Sequence, residues 1–333
     1  MSEDGFEWPE EATEEFADLA EEGLLFDEEV PADYRSGFIA VVGRPNVGKS
    51  TLLNAFLETK VAIISAKPQT TRNRLLGILT TDQAQLIFVD TPGVHEPHHK
   101  FGQYMVDTAL RAIPDSDLIL WVVDGTRPPH NEDRIVAETI RKNGRRSPII
   151  MALNKVDLLS TEKTSAMMQE YLTLLDPDIA IAISAQTGHN RAKLLDMITE
   201  KMPFGPRFFP ADQLTDQHLR FIAAEMIREA ALATLRQEVP HALVVQINEF
   251  KERSETMTYI DATVFVERES QKPIVIGRQG KVLKQIGQKA RGEIEEMTEG
   301  KVYLDLHVKV LPNWRHKQKT LKRFGYAMQD DKR

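Results

Sequence analysis

The chain has 333 residues, more than one ordinary core holds, and its 41% hydrophobic and 28% charged content is that of a globular protein of two domains. No apolar run approaches the roughly 20 residues that cross a bilayer, no signal-peptide pattern opens the chain, and the absence of cysteine excludes disulfides, thiol catalysis and cysteine-ligated zinc, which fits a cytoplasmic protein. The net charge of −8 argues by itself against nucleic acid, but residues 1–35 hold 14 Asp/Glu and one Arg, so the rest of the chain carries +5, with +6 on residues 301–333.

Residues 1–35 read as an acidic, disordered extension, because so few apolar side chains cannot offset the ordering entropy. Phe16, Leu19, Leu24, Leu25 and Phe26 allow a short amphipathic helix, so an arm competing with RNA for basic surface is the alternative. From Phe38 the pattern changes. Continuous apolar runs at 38–42, 86–89, 118–123, 149–153 and 179–183 predict strands buried on both faces. Helical patterns over about 101–112, 131–143, 163–175 and 190–201 separate them, which predicts an α/β fold with a mostly parallel sheet and helices on both faces. An antiparallel pair is expected within 72–89. Met202-Pro203-Phe204-Gly205-Pro206 and Pro210 mark a boundary. Domains are thus expected at 36–205 and 206–320, followed by a basic, flexible tail at 321–333. The second domain reads α-β-β-α-α-β: a long helix over about 213–236, strands over 242–250 and 257–267, helices to about Met297, and a strand over 302–310.

Gly43-Arg44-Pro45-Asn46-Val47-Gly48-Lys49-Ser50-Thr51 follows the first strand and opens a helix, as a P-loop must. Backbone N–H groups of such a loop curl around a β-phosphate, Lys49 reaches the β- and γ-oxygens, and Ser50 ligates Mg²⁺. Asp90-Thr91-Pro92-Gly93, with Val94 next, follows another strand; Asp90 would hold Mg²⁺ through water and the Gly93 N–H would meet a γ-phosphate. Asn154-Lys155-Val156-Asp157 identifies the base. A carboxylate at Asp157 accepts from both N1–H and the 2-amino group of guanine, a donor pair adenine lacks. Ser184-Ala185 backs up the base. Four motifs, each at a strand's C-terminal end, predict GTP and GDP as ligands.

Val94 cannot orient an attacking water, as the glutamine of Ras-like proteins does at this place. His95 is the nearest alternative base, yet a loop histidine is more often solvated; His98 and His99 lack a third ligand and read as loop. Slow hydrolysis is therefore expected. A second glycine motif, Gly277-Arg278-Gln279-Gly280, followed by Lys281 and Lys284, fits the G-x-x-G loop with which KH domains clamp an RNA backbone. The basic run around Trp314, Arg315, Lys317, Lys319, Lys322 and Arg323 reads as further phosphate contact with stacking by the indole.

The P-loop, the Gln69-Thr70-Thr71-Arg72 segment, Asp90-Thr91-Pro92-Gly93 and the terminal G-x-x-G resemble the Era family of GTPases over residues 36–320. The resemblance implies a type II KH domain. It also implies that Thr71 is the switch I threonine closing on Mg²⁺, and that Asn46 helps hold a K⁺ near the phosphates, so that Lys49, Thr71 and Asn46 carry catalysis. It further implies a monomer that binds the 3′ end of 16S ribosomal RNA, assists 30S subunit maturation and associates peripherally with the inner membrane. Two readings compete: a GTP-driven timer on RNA, and an RNA chaperone whose nucleotide domain is only structural. The second leaves Lys49, Ser50, Thr71 and Asp90 without purpose. A translation elongation factor would need β-barrel domains after the GTPase.

Overall fold

In the computed structural model the described residues are 30–326, apart from 66, 68–69, 94–99, 145–146, 237 and 255. The acidic stretch 1–29, Gln69, Val94, His95, His98, His99 and residues 327–333 lie outside them.

The apolar runs form one sheet: β1 (Arg35–Val42), β2 (Leu75–Thr80), β3 (Ala84–Asp90), β4 (Leu118–Asp124), β5 (Ile149–Asn154) and β6 (Ile179–Ala182). Their order is β2-β3-β1-β4-β5-β6, all parallel except the β2–β3 pair. Every strand residue alternates sides, so a run without polar interruption needs cover on both. Ile39, Val41, Leu120 and Val122 face one core, with Leu53 of α1 (Lys49–Leu57). Ala40, Val42, Ile119 and Trp121 face the other, with Ala109 of α2 (Lys100–Arg111) and Ile140 of α3 (Asn131–Asn143). Tyr171 of α4 (Thr161–Leu172) packs edge-on to Trp121 in this second core, while Leu194 of α5 (Arg191–Lys201) belongs to the first. The chain leaves β1 where its neighbours β3 and β4 are wound to opposite sides. Ligands of open α/β sheets bind at this reversal point.

The linker after α5 runs back along the sheet. Gln85 donates to the Phe209 carbonyl at 2.8 Å and accepts from Phe208 and Phe209 N–H at 2.7 and 2.9 Å. Ile78 N–H donates to Leu214 O at 2.9 Å, and Leu76 N–H to Asp216 Oδ1 at 3.0 Å. The bonds at Ile78 and Leu76 cover the exposed edge of β2, an edge that is otherwise a template for aggregation. They also correct the sequence expectation: residues 213–218 are not helical, and α6 begins at Leu219, because the edge strand claims their backbone groups.

The second domain is α6 (Leu219–Thr234), β7 (Val244–Ser254), β8 (Met257–Val266), a short α7 (Lys272–Ile276), α8 (Lys281–Thr298) and β9 (Lys301–Val310). β7 and β8 are antiparallel, and β9 joins β8 in parallel. Ile222, Met226 and Ala230 on α6, with Ile286, Ala290 and Ile294 on α8, repeat every four residues and bury against Ile260, Ala262 and Val264 of the central strand.

A further cluster ties the domains together. Phe101 and Met105 of α2 pack with Val244, Phe265, Trp314, Leu321 and Tyr326. Trp314 is fully buried, its indole N–H donating to Ala242 O at 2.8 Å. It therefore offers no ring for stacking on RNA. Residues 321–326 also depart from the expected tail: α9 (Gln318–Arg323) forms, and Leu321 and Tyr326 are buried beside Trp314.

Candidate nucleotide and nucleic-acid sites

Between β1 and α1 the P-loop frames a cavity of about 430 Å³, lined also by Ile63, Ile64, Ser65, Thr70, Thr71, Gly93, Asp124, Arg127 and Lys155. Gly48 has φ +105°, and a Cβ there would stand 2.3 Å from Asn154 Nδ2. Only glycine allows the two loops to approach so closely. Gly93 is pressed against Pro45 in the same way: a Cβ there would stand 2.5 Å from the Pro45 nitrogen. Gly43, Val47 and Thr51 complete the loop, with Val47 buried beneath it.

Lys49 is buried and donates to Gly43 O and Arg44 O at 3.0 Å each. Burial pulls its ammonium down to about 8, although Asp90 opposes the shift. Burial lifts the Asp90 carboxyl to about 6, against the pull of Lys49 and the Ser50 hydrogen bond. Ser50 Oγ donates to Asp90 Oδ2 at 2.7 Å and lies 2.9 Å from Thr71 Oγ1. Asp90 Oδ1 is buried with no hydrogen-bond partner. The three residues expected to share a hard cation are thus in one place. Thr91 and Pro92 turn the chain away, Thr91 donating to Val41 O at 2.9 Å.

Asn154 braces the base-reading loop. It is buried, donates to Val47 O at 2.8 Å, and accepts from Ala185 N–H at 2.9 Å, with Ser184 buried alongside. Lys155 donates to Asn46 O at 2.8 Å, bridging the two loops. Asp157 is exposed on the one-turn helix that follows. Asn46 is also exposed, at φ 63°. Sequence reasoning missed Ile63, Ile64, Ser65, Arg127 and Asp124. The first three lie in an irregular loop without a motif. Asp124 was signalled only by standing at the end of a buried strand, as Asp90 and Asn154 do, and Arg127 only by the turn that follows it.

In the second domain, Gly277 has φ +73° and a Cβ there would lie 2.4 Å from Val282 Cγ2; Gly280 has φ +74° with nothing near. Arg278, Gln279, Lys281 and Lys284 are exposed around the loop. From Gly280 a groove of about 400 Å³ runs between α8 and β9, lined by Leu283, Lys284, Gly287, Gln288, Arg291, Leu304 and Leu306. Gln288 and Arg291 were not foreseen, yet they follow Lys284 at +4 and +7, the same helix face.

The residues on either side of Thr71 belong to the second domain's contacts. Arg228 of α6 donates to Thr70 O, and Arg72 donates to Leu243 O at 2.7 Å. Ile64 N–H donates to Glu229 at 3.2 Å, and Lys60 pairs with Glu229 and Glu293 at 2.6 and 2.9 Å.

Fold and sites define a P-loop GTPase that carries a KH domain. Residues 38–155 match the family model described as a 50S ribosome-binding GTPase, and residues 238–315 match that of a KH domain. Over 293 residues the chain is 45% identical to GTPase Era of Ruminiclostridium cellulolyticum and 43% identical to that of Clostridium botulinum, covering 88% of this chain and 98% of each relative. Two crystal structures align with a TM-score of 0.83 and 39% identity over 100% of their chains and 89% and 88% of this one. One is Era with MgGDPNP and nucleotides 1506–1542 of 16S ribosomal RNA; the other is an Aquifex aeolicus Era variant with GDP·AlF4⁻. The chain belongs to the GTPase Era family.

Proposed function

We propose that this GTPase is a Mg²⁺-dependent, slow, K⁺-stimulated timer whose KH groove takes the 3′ end of 16S ribosomal RNA during 30S subunit assembly. One observation carries it: Thr71 stands at the Ser50–Asp90 pair while Thr70 and Arg72, its neighbours, are bound by the second domain. A γ-phosphate and its cation that hold Thr71 act at once on residues gripped by α6.

The donor set fits Mg²⁺. The cation takes hard oxygens: the buried Asp90 Oδ1 makes no hydrogen bond, the Ser50 hydroxyl is bonded to Oδ2 of the same carboxylate, and the Thr71 hydroxyl lies beside that of Ser50. When bound it would neutralise charge on the β- and γ-phosphates. The chain's own part is positioning. P-loop amides and Lys49 bind phosphate oxygens, Thr71 closes the site, and Asp157 reads guanine while Asn154 holds its loop. Asn46 is exposed at the rim, suited to a K⁺ ligand that supplies positive charge near the transferred group. Val94 gives no base, which keeps turnover slow.

For RNA, the groove pairs apolar Leu283, Leu304 and Leu306 with cationic Lys284 and Arg291, a floor for bases and a rim for phosphates. The relative solved with nucleotides 1506–1542 of 16S RNA supports that substrate class. Among the described residues no helix is long and apolar enough to cross a membrane, and membrane association of the family type would be peripheral. The test is affinity for a 16S 3′-end oligonucleotide with GDP and with a non-hydrolysable GTP analogue. Tighter binding with the analogue is expected; equal affinities refute the timer.

A further inference from the structure

A P-loop and a guanine loop each bind one end of the same ligand, so their spacing must be fixed before the ligand arrives if both ends are to be engaged without penalty. Two residues with left-handed backbone sit at that join. Asn46, in the P-loop, has φ 63°, and Lys155, in the guanine loop, has φ 68°. Left-handed backbone is routine for asparagine, but in a lysine such as Lys155 it persists only where surroundings over-determine it.

Charges enforce it here. Lys155 Nζ donates to Asn46 O at 2.8 Å and to Asp124 Oδ2 at 2.9 Å. The same Oδ2 accepts Arg44 Nη2 at 3.2 Å, so one carboxylate oxygen holds a cation from each loop. Arg44, at the cavity wall, also reaches Asp133 Oδ2 of α3 at 3.2 Å. Thr126 orients the carboxylate from the other side, its N–H and hydroxyl donating to Oδ1 at 3.0 and 2.6 Å. Arg44, Asp124 and Asp133 are all buried. Two cations balance two carboxylates, so the group needs no outside counter-ion.

Buried ion pairs of this kind are weak contributors to stability, because desolvation offsets attraction. What they supply here is register. We infer that Asp124 is a positioning residue that locks the phosphate loop to the guanine loop through Arg44 and Lys155. It makes the two ends of the nucleotide bind as a unit without itself touching the reacting atoms. The inference rests on the reading of this cavity as the GTP site.

Asp124→Asn tests it. The amide keeps the shape and the Thr126 hydroxyl bond but cannot hold two cations. Loss of a charge-assisted link predicts dissociation of fluorescent mant-GDP about 10- to 100-fold faster. At saturating GTP, kcat falls by a smaller factor than release rises, since Lys49, Ser50 and Thr71 are untouched. A residue that is merely structural lowers the apparent kcat by shrinking the folded fraction and leaves the release rate of the folded protein unchanged. The effect must also shrink in a Lys155→Ala background, because the lock acts through that ammonium. Unchanged release from folded Asp124→Asn overturns the inference, as does full additivity with Lys155→Ala. Where Asp124→Asn does not fold, Asp124→Glu keeps the charge and displaces it by one methylene. Its mant-GDP release must rise by a larger factor than kcat falls, and release at the parent rate overturns the inference. Failure of the unmodified protein to bind mant-GDP sinks instead the reading of the cavity.

Discussion

Replacing Arg228 by methionine separates the timer from its two halves. Arg228 is buried at the domain contact, donates to Thr70 O and pairs with Glu225 one turn back on α6. A hydrogen bond from a charged donor is worth about 1.5–3 kcal/mol. Two features limit the cost to the fold. The Glu225 side chain retains 19% exposure and can hydrate. Arg228 also lies close enough to Arg72 that its charge, after burial itself, depresses the Arg72 guanidinium, which falls to about 10, so its removal relieves repulsion. Methionine fills the stem's volume. What is lost is the link between the switch backbone and α6, and so the coupling of about 1–3 kcal/mol that separates two states of a switch. The assay is fluorescence anisotropy with a 16S 3′-end oligonucleotide, with GDP and with a non-hydrolysable GTP analogue. The ratio of the two affinities falls by about tenfold or more, toward one, while nucleotide affinity without RNA changes little. A folded Arg228→Met protein that keeps the parent ratio refutes the reasoning.

Gly277→Asp puts an anion at the clamp and a Cβ 2.4 Å from Val282 Cγ2, whereas Gly280→Asp meets no neighbouring atom, so the two share the strain of a positive φ and only the first adds a clash; both abolish the RNA footprint in crosslinking and leave mant-GDP binding intact. Asp157→Asn exchanges an acceptor for a donor and shifts preference from guanosine to xanthosine nucleotides, read by competition against mant-GDP. Trp314→Ala empties the cluster shared by α2 and the KH domain and lowers stability by about 3–5 kcal/mol, seen as a fall in thermal midpoint, because large aromatic deletions leave cavities that do not collapse.

The parallel sheet was legible because buried strands between helices have few other ways to close, and the P-loop because its spacing is dictated by phosphate geometry. Asn154 and Asp90 were legible for the same reason: each ends a buried strand on the C-terminal side of the parallel sheet, where nucleotide sites form. Asp124 ends such a strand too, but its role depends on Arg44 and Lys155 folding over it, and no local pattern states that. Trp314 misled because an aromatic among lysines looks like a nucleic-acid surface. Composition cannot show that α2, more than 200 positions earlier, brings Phe101 against its ring at a centroid distance of 5.4 Å. The early start expected for α6 failed similarly. Residues 213–218 have a helical pattern, yet an edge strand with free backbone groups competes for them and wins.

These two misses share a cause that bears on function. Each concerns a segment whose partner lies in the other domain, and each lies beside a loop proposed to meet the nucleotide. The linker along β2 delivers α6 to the stretch 60–72, which ends at Thr71 and Arg72. The Trp314 cluster receives α2, which follows the Asp90-Thr91-Pro92-Gly93 loop. Both loops that would meet a γ-phosphate are therefore continuous with surface buried on the KH domain. Arg72 spans the two contacts, with its guanidinium 5.2 Å from the Phe101 ring and 5.9 Å from that of Trp314 while it donates to Leu243 O. Two independent loops tied to a single partner through one buried cation move together or not at all, because packed interiors shift between discrete arrangements instead of deforming continuously. On the proposed reading of the site, that packing predicts a two-state response of RNA affinity to GTP. It does so without a dedicated signalling residue at the RNA groove itself.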